Sequence, residues 1–283
     1  MAVQSETFAS LSFTIFLRLT LCAEAHHTMK MIKPAVLIVV LATLVLATLA
    51  QAQQIRTGED LLRAMHDRYA DTWYKNVTFT QKSTTYKPDG TTSVETWYEA
   101  ALLPGKLRID IGPASEGNGY IFDRGNLTII KANKITGSQP LTNMLLVLGF
   151  DVYAQPPDVT ANVAKQEGYD LSKFREDTFD GHPVYVVGAN SPTDLTSKQF
   201  WVAKDTLLFV RDIEPTRHDA SKTEDIRFIH YQPLANAWIA AGVEMYVDGK
   251  KVFSEDYTDI QANVNLSPGV YDPAQFATTH WEK

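Results

Sequence analysis

The chain has 283 residues, with 26 lysines and arginines against 33 aspartates and glutamates, a formal net charge of -7. At 45% hydrophobic and 21% charged it has the composition of a folded globular chain, not a disordered one. The acidic balance argues against a nucleic-acid binder, and a single cysteine, Cys22, excludes a disulfide scaffold and any site built on several thiolates.

The N-terminus reads as an address. Ala35 to Ala50 is an uncharged apolar run, preceded by Lys30 and Lys33 and followed by Ala50-Gln51-Ala52. That order is the charged region, apolar region and small-residue cleavage site of a secretory signal, and the run is shorter than the ~20 residues a spanning helix needs. Residues 29–52 are therefore read as a signal peptide cleaved after Ala52, with an uncleaved membrane anchor as the lesser alternative. Residues 1–28 read as an extension ahead of a better start at Met29 or Met31. Residues 53–283 form one domain, since no linker, repeat or low-complexity stretch divides them.

The first predicted element starts at Thr57. Thr57-Gly58-Glu59-Asp60 resembles a capping box, and Leu62, Met65, Tyr69 and Trp73 recur at helical spacing, predicting a helix to about Tyr74. From Asn76 the period changes to two. Val77, Phe79 and Gln81 alternate with Thr78, Thr80 and Lys82, and Asp89-Gly90 marks a tight hairpin turn before a return strand from Thr92 to Leu103. Leu107, Ile109 and Ile111 form the next strand after Pro104-Gly105, and Tyr120-Ile121-Phe122 pairs with Leu127 to Ile130. Pro140 to Phe150 breaks the pattern: it reads as a short helix, apolar nearly all round, with Pro140 in its first turn and Gly149 at its C-cap. A weaker helix is predicted between Asp158 and Gln166. The second half returns to strands, with further Asp-Gly turns at Asp180-Gly181 and Asp248-Gly249 and strands at Phe200 to Val202, Leu207 to Val210 and Ile226 to Tyr231. His230 alternates with Phe228 and Ile226, which predicts an inward-facing, satisfied histidine.

These elements predict a mainly antiparallel β fold, strongly curved, with the helices covering its concave side. Such a shape encloses an apolar space, and the sequence leaves open whether side chains or a lipid chain fill it. Chemical motifs are scarce. The histidines show no metal-ligand spacing, and no nucleophile elbow or phosphate-cradling glycine loop is present. No cofactor, metal or catalytic residue is expected, and the chain is not read as an enzyme.

One resemblance rests on motif order. Thr78-Phe79-Thr80-Gln81-Lys82 follows the amphipathic helix; then come a Gly-tipped hairpin, Leu103-Pro104-Gly105-Lys106-Leu107-Arg108, the Tyr-Ile-Phe-Asp-Arg-Gly-Asn-Leu turn, the apolar Leu141 to Leu148, and Asp272 to Phe276. In that order they resemble the LolA/LolB lipoprotein-carrier superfamily of bacterial envelopes. The resemblance implies an unclosed β-barrel of about eleven strands with helices over its mouth. It implies a periplasmic carrier that binds acyl chains of lipoproteins or lipids in an apolar cavity, shuttles them towards the outer membrane, and meets an inner- or outer-membrane transport partner. Carried over by position, Phe79, Trp97, Leu107, Ile109, Tyr120, Phe122 and Ile129 line the cavity, and Met144, Leu145 and Leu148 form its lid. The alternative is a non-catalytic sensor or interaction module of the same fold, acting on a membrane partner. One departure stands out: these carriers place an arginine before the turn proline to latch the lid, and here that position is Leu103. Arg108, in the following strand, points away from Leu107 and Ile109 by alternation.

Overall fold

The computed structural model describes residues 54–281. The expected extension, the signal peptide and Cys22 lie outside the described residues. Helix α1 (Gly58–Tyr69) opens on the capping box its sequence announces: the Thr57 hydroxyl accepts from the Asp60 amide at 3.1 Å, and the Asp60 carboxylate accepts from the Thr57 amide at 3.2 Å. It ends one turn earlier than the periodicity predicts. The Thr72 and Trp73 amides both return to the Tyr69 carbonyl at 2.8 Å, so the chain tightens into a turn. Trp73 and Tyr74 stay buried all the same, stacked on each other and, through Trp73, on Tyr153.

Thirteen strands follow, two more than the expected eleven. The first six are β1 (Asn76–Tyr86), β2 (Thr92–Leu102), β3 (Lys106–Ile111), β4 (Asn118–Asp123), β5 (Asn126–Lys131) and β6 (Lys134–Pro140). After α2 (Met144–Gly149) and α3 (Pro157–Gln166) come β7 (Phe174–Phe179), β8 (His182–Val187), β9 (Gln199–Ala203), β10 (Phe209–Pro215), β11 (Thr223–Leu234), β12 (Ala237–Val247) and β13 (Lys250–Ala262). They form one antiparallel sheet in the order β6-β5-β4-β3-β2-β1-β13-β12-β11-β10-β9-β8-β7. The sheet is thus two meanders joined along β1 and β13. It is strongly curved and not closed, and β6 and β7 are its edges.

β6 is the strand the sequence hides. Its residues are mostly exposed and carry no alternation, and Pro140 ends the strand instead of opening a helix. The helix starts four residues later, at Met144, and the Asn143 side chain caps it by accepting from the Leu146 amide at 3.1 Å. The strand predicted from Leu207 begins instead at Phe209, because Leu207 has φ 57 and turns the chain. His230 is a second correction. Its φ is 56, a left-handed backbone inside a β11–β12 ladder whose register runs unbroken from Ile229–Gly242 to Tyr231–Ala240, and its side chain is exposed.

The chain leaves the sheet at one edge, β6, and re-enters at the other, β7. The helices between lie on the concave face with α1. There Leu61, Leu62 and Met65 of α1 and Leu146 and Leu148 of α2 join Val77, Phe79, Leu107, Phe200, Val202, Phe209 and Phe228 of the strands in one core.

The convex face has its own packing. On β7–β11, Trp201 packs with Val184, Val186 and Ile213, and the Arg211 guanidinium lies 4.5 Å from the Trp201 ring and 4.9 Å from Phe179. Arg211 also grips Asp225 through two bonds of 2.7 and 2.8 Å. On β3–β5, the C-terminal segment 263–281 lies over the sheet around Arg108. Arg108 is fully buried and bidentate to Asp110 at 2.8 and 2.9 Å. Its remaining N–H groups donate to the carbonyls of Val270 (3.2 Å), Phe276 (3.0 Å) and Thr279 (2.7 Å). The guanidinium lies between the rings of Phe276 and Trp281, at 4.0 and 4.9 Å. Alternation places Arg108 on this face, opposite Leu107 and Ile109, as its sequence position predicts.

Candidate functional site

Three strand registers build the floor of the concave face. Phe79 of β1 stands opposite Glu99 of β2, which stands opposite Ile109 of β3; Gln81 stands opposite Trp97 on one side and Tyr257 of β13 on the other. Opposed residues of an antiparallel pair share a face. Helix α2 roofs this floor, and between them lies a cavity of about 100 Å³. Phe79, Trp97, Leu107 and Ile109 line it from the floor, Leu145 and Leu146 from the roof, and Phe150, Phe228 and Val243 from the side.

A second space of about 580 Å³ opens beside it. It runs between the Pro104-Gly105 and Arg124-Gly125 turns on one side and α2 and α3 on the other, with Phe122, Leu146, Val147, Val159 and Val163 along its walls. Drug-sized ligands occupy spaces of about 300–1,000 Å³, so the groove is of ligand size and the inner cavity is not while α2 stays in place.

The expected site residues divide accordingly. Phe79, Trp97, Leu107 and Ile109 lie together at the inner cavity, and Phe122 lies in the groove. Tyr120 and Ile129 face each other farther along the same face, on β4 and β5, and line neither space. Of the roof residues, Leu145 reaches the inner cavity, Met144 lines a rim pocket shared with Phe122 and Leu145, and Leu148 is fully buried in the core.

Sequence reasoning missed two kinds of residue. The first is the contribution of the second half, Phe228, Val243, Glu255 and Tyr257, which reaches the site only because β13 pairs with β1. The second is the pair of acids on the floor. Glu99 sits between Trp97 and Ala101 on the inward side of β2, a charge among apolar residues of the same face, and that interruption was the available signal. Burial raises the Glu99 carboxyl well above its ordinary range, and the neighbouring Glu255 adds to the rise. Burial lifts Glu255 to about 7, against hydrogen bonds from Tyr257 and Gln81 that pull the other way.

The roof is held by an aspartate. Asp151, just past α2, is buried and accepts the Gly105 amide at 3.0 Å, tying the α2 end to the Pro104-Gly105 turn. Burial lifts its carboxyl to about 7, the Gly105 bond opposing. Leu103, just before the turn proline, is buried in the core. The tie between roof and turn is thus an acid from the roof side accepting from a backbone donor of the turn.

Gly149 is not a left-handed cap. Its lack of a side chain lets α2 lie against β11, since a Cβ there would stand 2.6 Å from the Phe228 ring. Gly149→Ala should therefore lower stability by about 1–3 kcal/mol, the range for overpacking a core. A urea midpoint equal to that of the parent would mean that α2 is not pressed on Phe228.

Among the described residues no helix is long and apolar enough to cross a membrane, and no group of three or more His, Cys, Asp or Glu is placed to hold a metal. No protein-family model matches the chain, and no curated protein matches it in sequence. Solved structures do match in shape. An outer membrane lipoprotein-sorting protein domain from Vibrio parahaemolyticus superposes with TM-score 0.52 at 13% identity, over 78% of this chain and 98% of that one. A DUF1329 family protein from Desulfovibrio piger superposes with TM-score 0.50 at 15% identity, over 76% and 95%. A LolA superfamily protein from Nitrosomonas europaea gives 0.49 at 12% identity, over 74% and 96%.

Proposed function

From this LolA/LolB-like fold, we propose that the chain is a non-catalytic periplasmic carrier that binds acyl chains of lipids or lipoproteins and passes them towards the outer membrane. The observation that carries the reading is the roofed apolar face: α2 is held to the sheet largely by side-chain packing and one tie at Asp151, beside a groove of about 580 Å³. In the closed arrangement the inner cavity holds little, so loading requires α2 to lift and join the inner cavity to the groove. Phe79, Trp97, Leu107, Ile109 and Phe122 then contact the chain, with Tyr120 and Ile129 extending the surface and Met144, Leu145 and Leu148 moving with the roof.

The test is mass spectrometry of the organic extract from protein purified after export into a bacterial periplasm. A stoichiometric acylated molecule is expected, and Leu145→Asp, which places a charge over the inner cavity, should lower its retention at least tenfold. A folded, monodisperse protein that carries no lipid and takes up no acyl probe would overturn the reading. An interaction module of the same fold, acting on a membrane partner, would then be the better account.

A further inference from the structure

The floor of the inner cavity is chemically odd for a site that takes only hydrocarbon. Glu99 is 7% exposed and lines the cavity, yet no hydrogen bond reaches its carboxyl among the described residues. Glu255 lines the same cavity and accepts from the Tyr257 hydroxyl. Gln81, wholly buried beside Glu255, leaves its carbonyl Oε1 without a partner. No lysine, arginine or histidine lines the cavity to balance the two acids. Burying carboxyl groups without a counter-charge costs several kcal/mol, and neutral chains would be served better by two leucines. The walls around the acids are aromatic: Phe79 and Tyr257 stack at 4.3 Å between centroids, and Trp97 stands beside them. Ring faces attract cations, most strongly where water is excluded.

We propose that the inner cavity is a receptor for an aliphatic ammonium group, seated between Glu99 and Glu255 against the faces of Phe79, Trp97 and Tyr257, so that the cargo is an amine-bearing amphiphile. The size fits. A water claims about 30 Å³ of liquid, so about 100 Å³ holds an ammonium and a few methylene carbons with α2 closed. The rest of the hydrocarbon leaves past Leu145 toward the groove. The assignment rests on the carrier reading above and adds to it the chemistry of the cargo's polar end.

The test compares decylamine, decanol and decanoate, binding to the purified protein being read by Trp97-sensitive fluorescence and by calorimetry at neutral pH. Decylamine should bind at least tenfold tighter than decanol, and decanoate weakest. Glu99→Gln and Glu255→Gln, each close in shape to the parent, should bring decylamine down to the decanol value and leave decanol unchanged, which also shows that the variant is folded. Should one variant fail to fold, the other carries the comparison. Equal binding of amine and alcohol, preference for decanoate, or tight amine binding untouched by both substitutions would overturn the ammonium site while leaving the carrier reading intact. Binding of none of the three would overturn both.

Discussion

Arg108→Ala is expected to lower the unfolding free energy by about 3–5 kcal/mol, the usual loss when one partner of a buried ion pair is removed. The substitution leaves Asp110, 2% exposed, without the bidentate guanidinium that balances it. It also removes every side-chain donor that Val270, Phe276 and Thr279 receive from Arg108, and the plane on which Phe276 and Trp281 rest. The loss should therefore appear in two places. The urea midpoint falls, and the segment after residue 263 becomes cleavable by protease under native conditions. Arg108→Lys should recover little, because an ammonium cannot make the two parallel bonds to Asp110 and reach the three carbonyls as well. A parent-like midpoint with an intact tail would show that the segment is held by apolar contacts alone.

Stability should fall as pH rises from 5 to 8, the reverse of the behaviour of a chain dominated by surface ion pairs. Burial raises Asp151 and Glu255 to about 7 each, and raises Asp212 and Glu99 in the same direction. An acid raised in the native chain holds its proton there at pH values where the unfolded chain has released it. The native state then binds more protons between the unfolded value and the folded one, and stability declines across that window. For Asp151 the window runs from 3.8 to about 7, and for Glu255 from 4.5 to about 7. Together they should remove on the order of 4 kcal/mol between pH 5 and pH 8. Asp194, held at about 2 by hydrogen bonds from Ser197 and Thr196, contributes the opposite slope only at more acid pH. Asp151→Asn keeps an acceptor for the Gly105 amide and removes one proton from the balance, so it should flatten the profile by roughly half. Denaturation midpoints at pH 5, 6, 7 and 8 decide the matter, and a flat or rising profile would mean that these carboxyls are hydrated in the native chain.

Most of the fold was legible because it is written in local terms. The capping box at Thr57, the Asp-Gly turns and the alternation of β3 each specify their own few residues, and neighbouring strands pair in sequence order. The failures also have local causes. β6 escaped notice because an exposed edge strand needs no apolar face, and its residues show no period. Helix α2 was misplaced at its start because Pro140 suits a strand end as well as a helix start, and Asn143 supplied the real cap. The site was half legible. Its first-half wall follows from alternation along β1 to β4, whereas Glu255, Tyr257 and Phe228 reach it through pairings separated by most of the chain. Gly149 shows the same limit: the residue drew attention as a helix end, but what it accommodates is Phe228, on a strand that no local pattern links to it.

The pairing of β1 with β13 also sets the order in which the protein can assemble. Every other strand pair joins neighbours in the chain, so each meander can zip up from hairpins that close in about 1–10 μs each. The central seam is different, since its two strands are separated by nearly the whole folded chain and loop closure over that length must precede any reward. During synthesis or export, β1 therefore waits with an unpaired edge until the last strand has emerged. In that interval the first meander exposes both the open edge of β1 and the floor that α2 later covers. The half-made molecule is thus its most adhesive form, and the step that ends this vulnerability is delivery of the C-terminal strand.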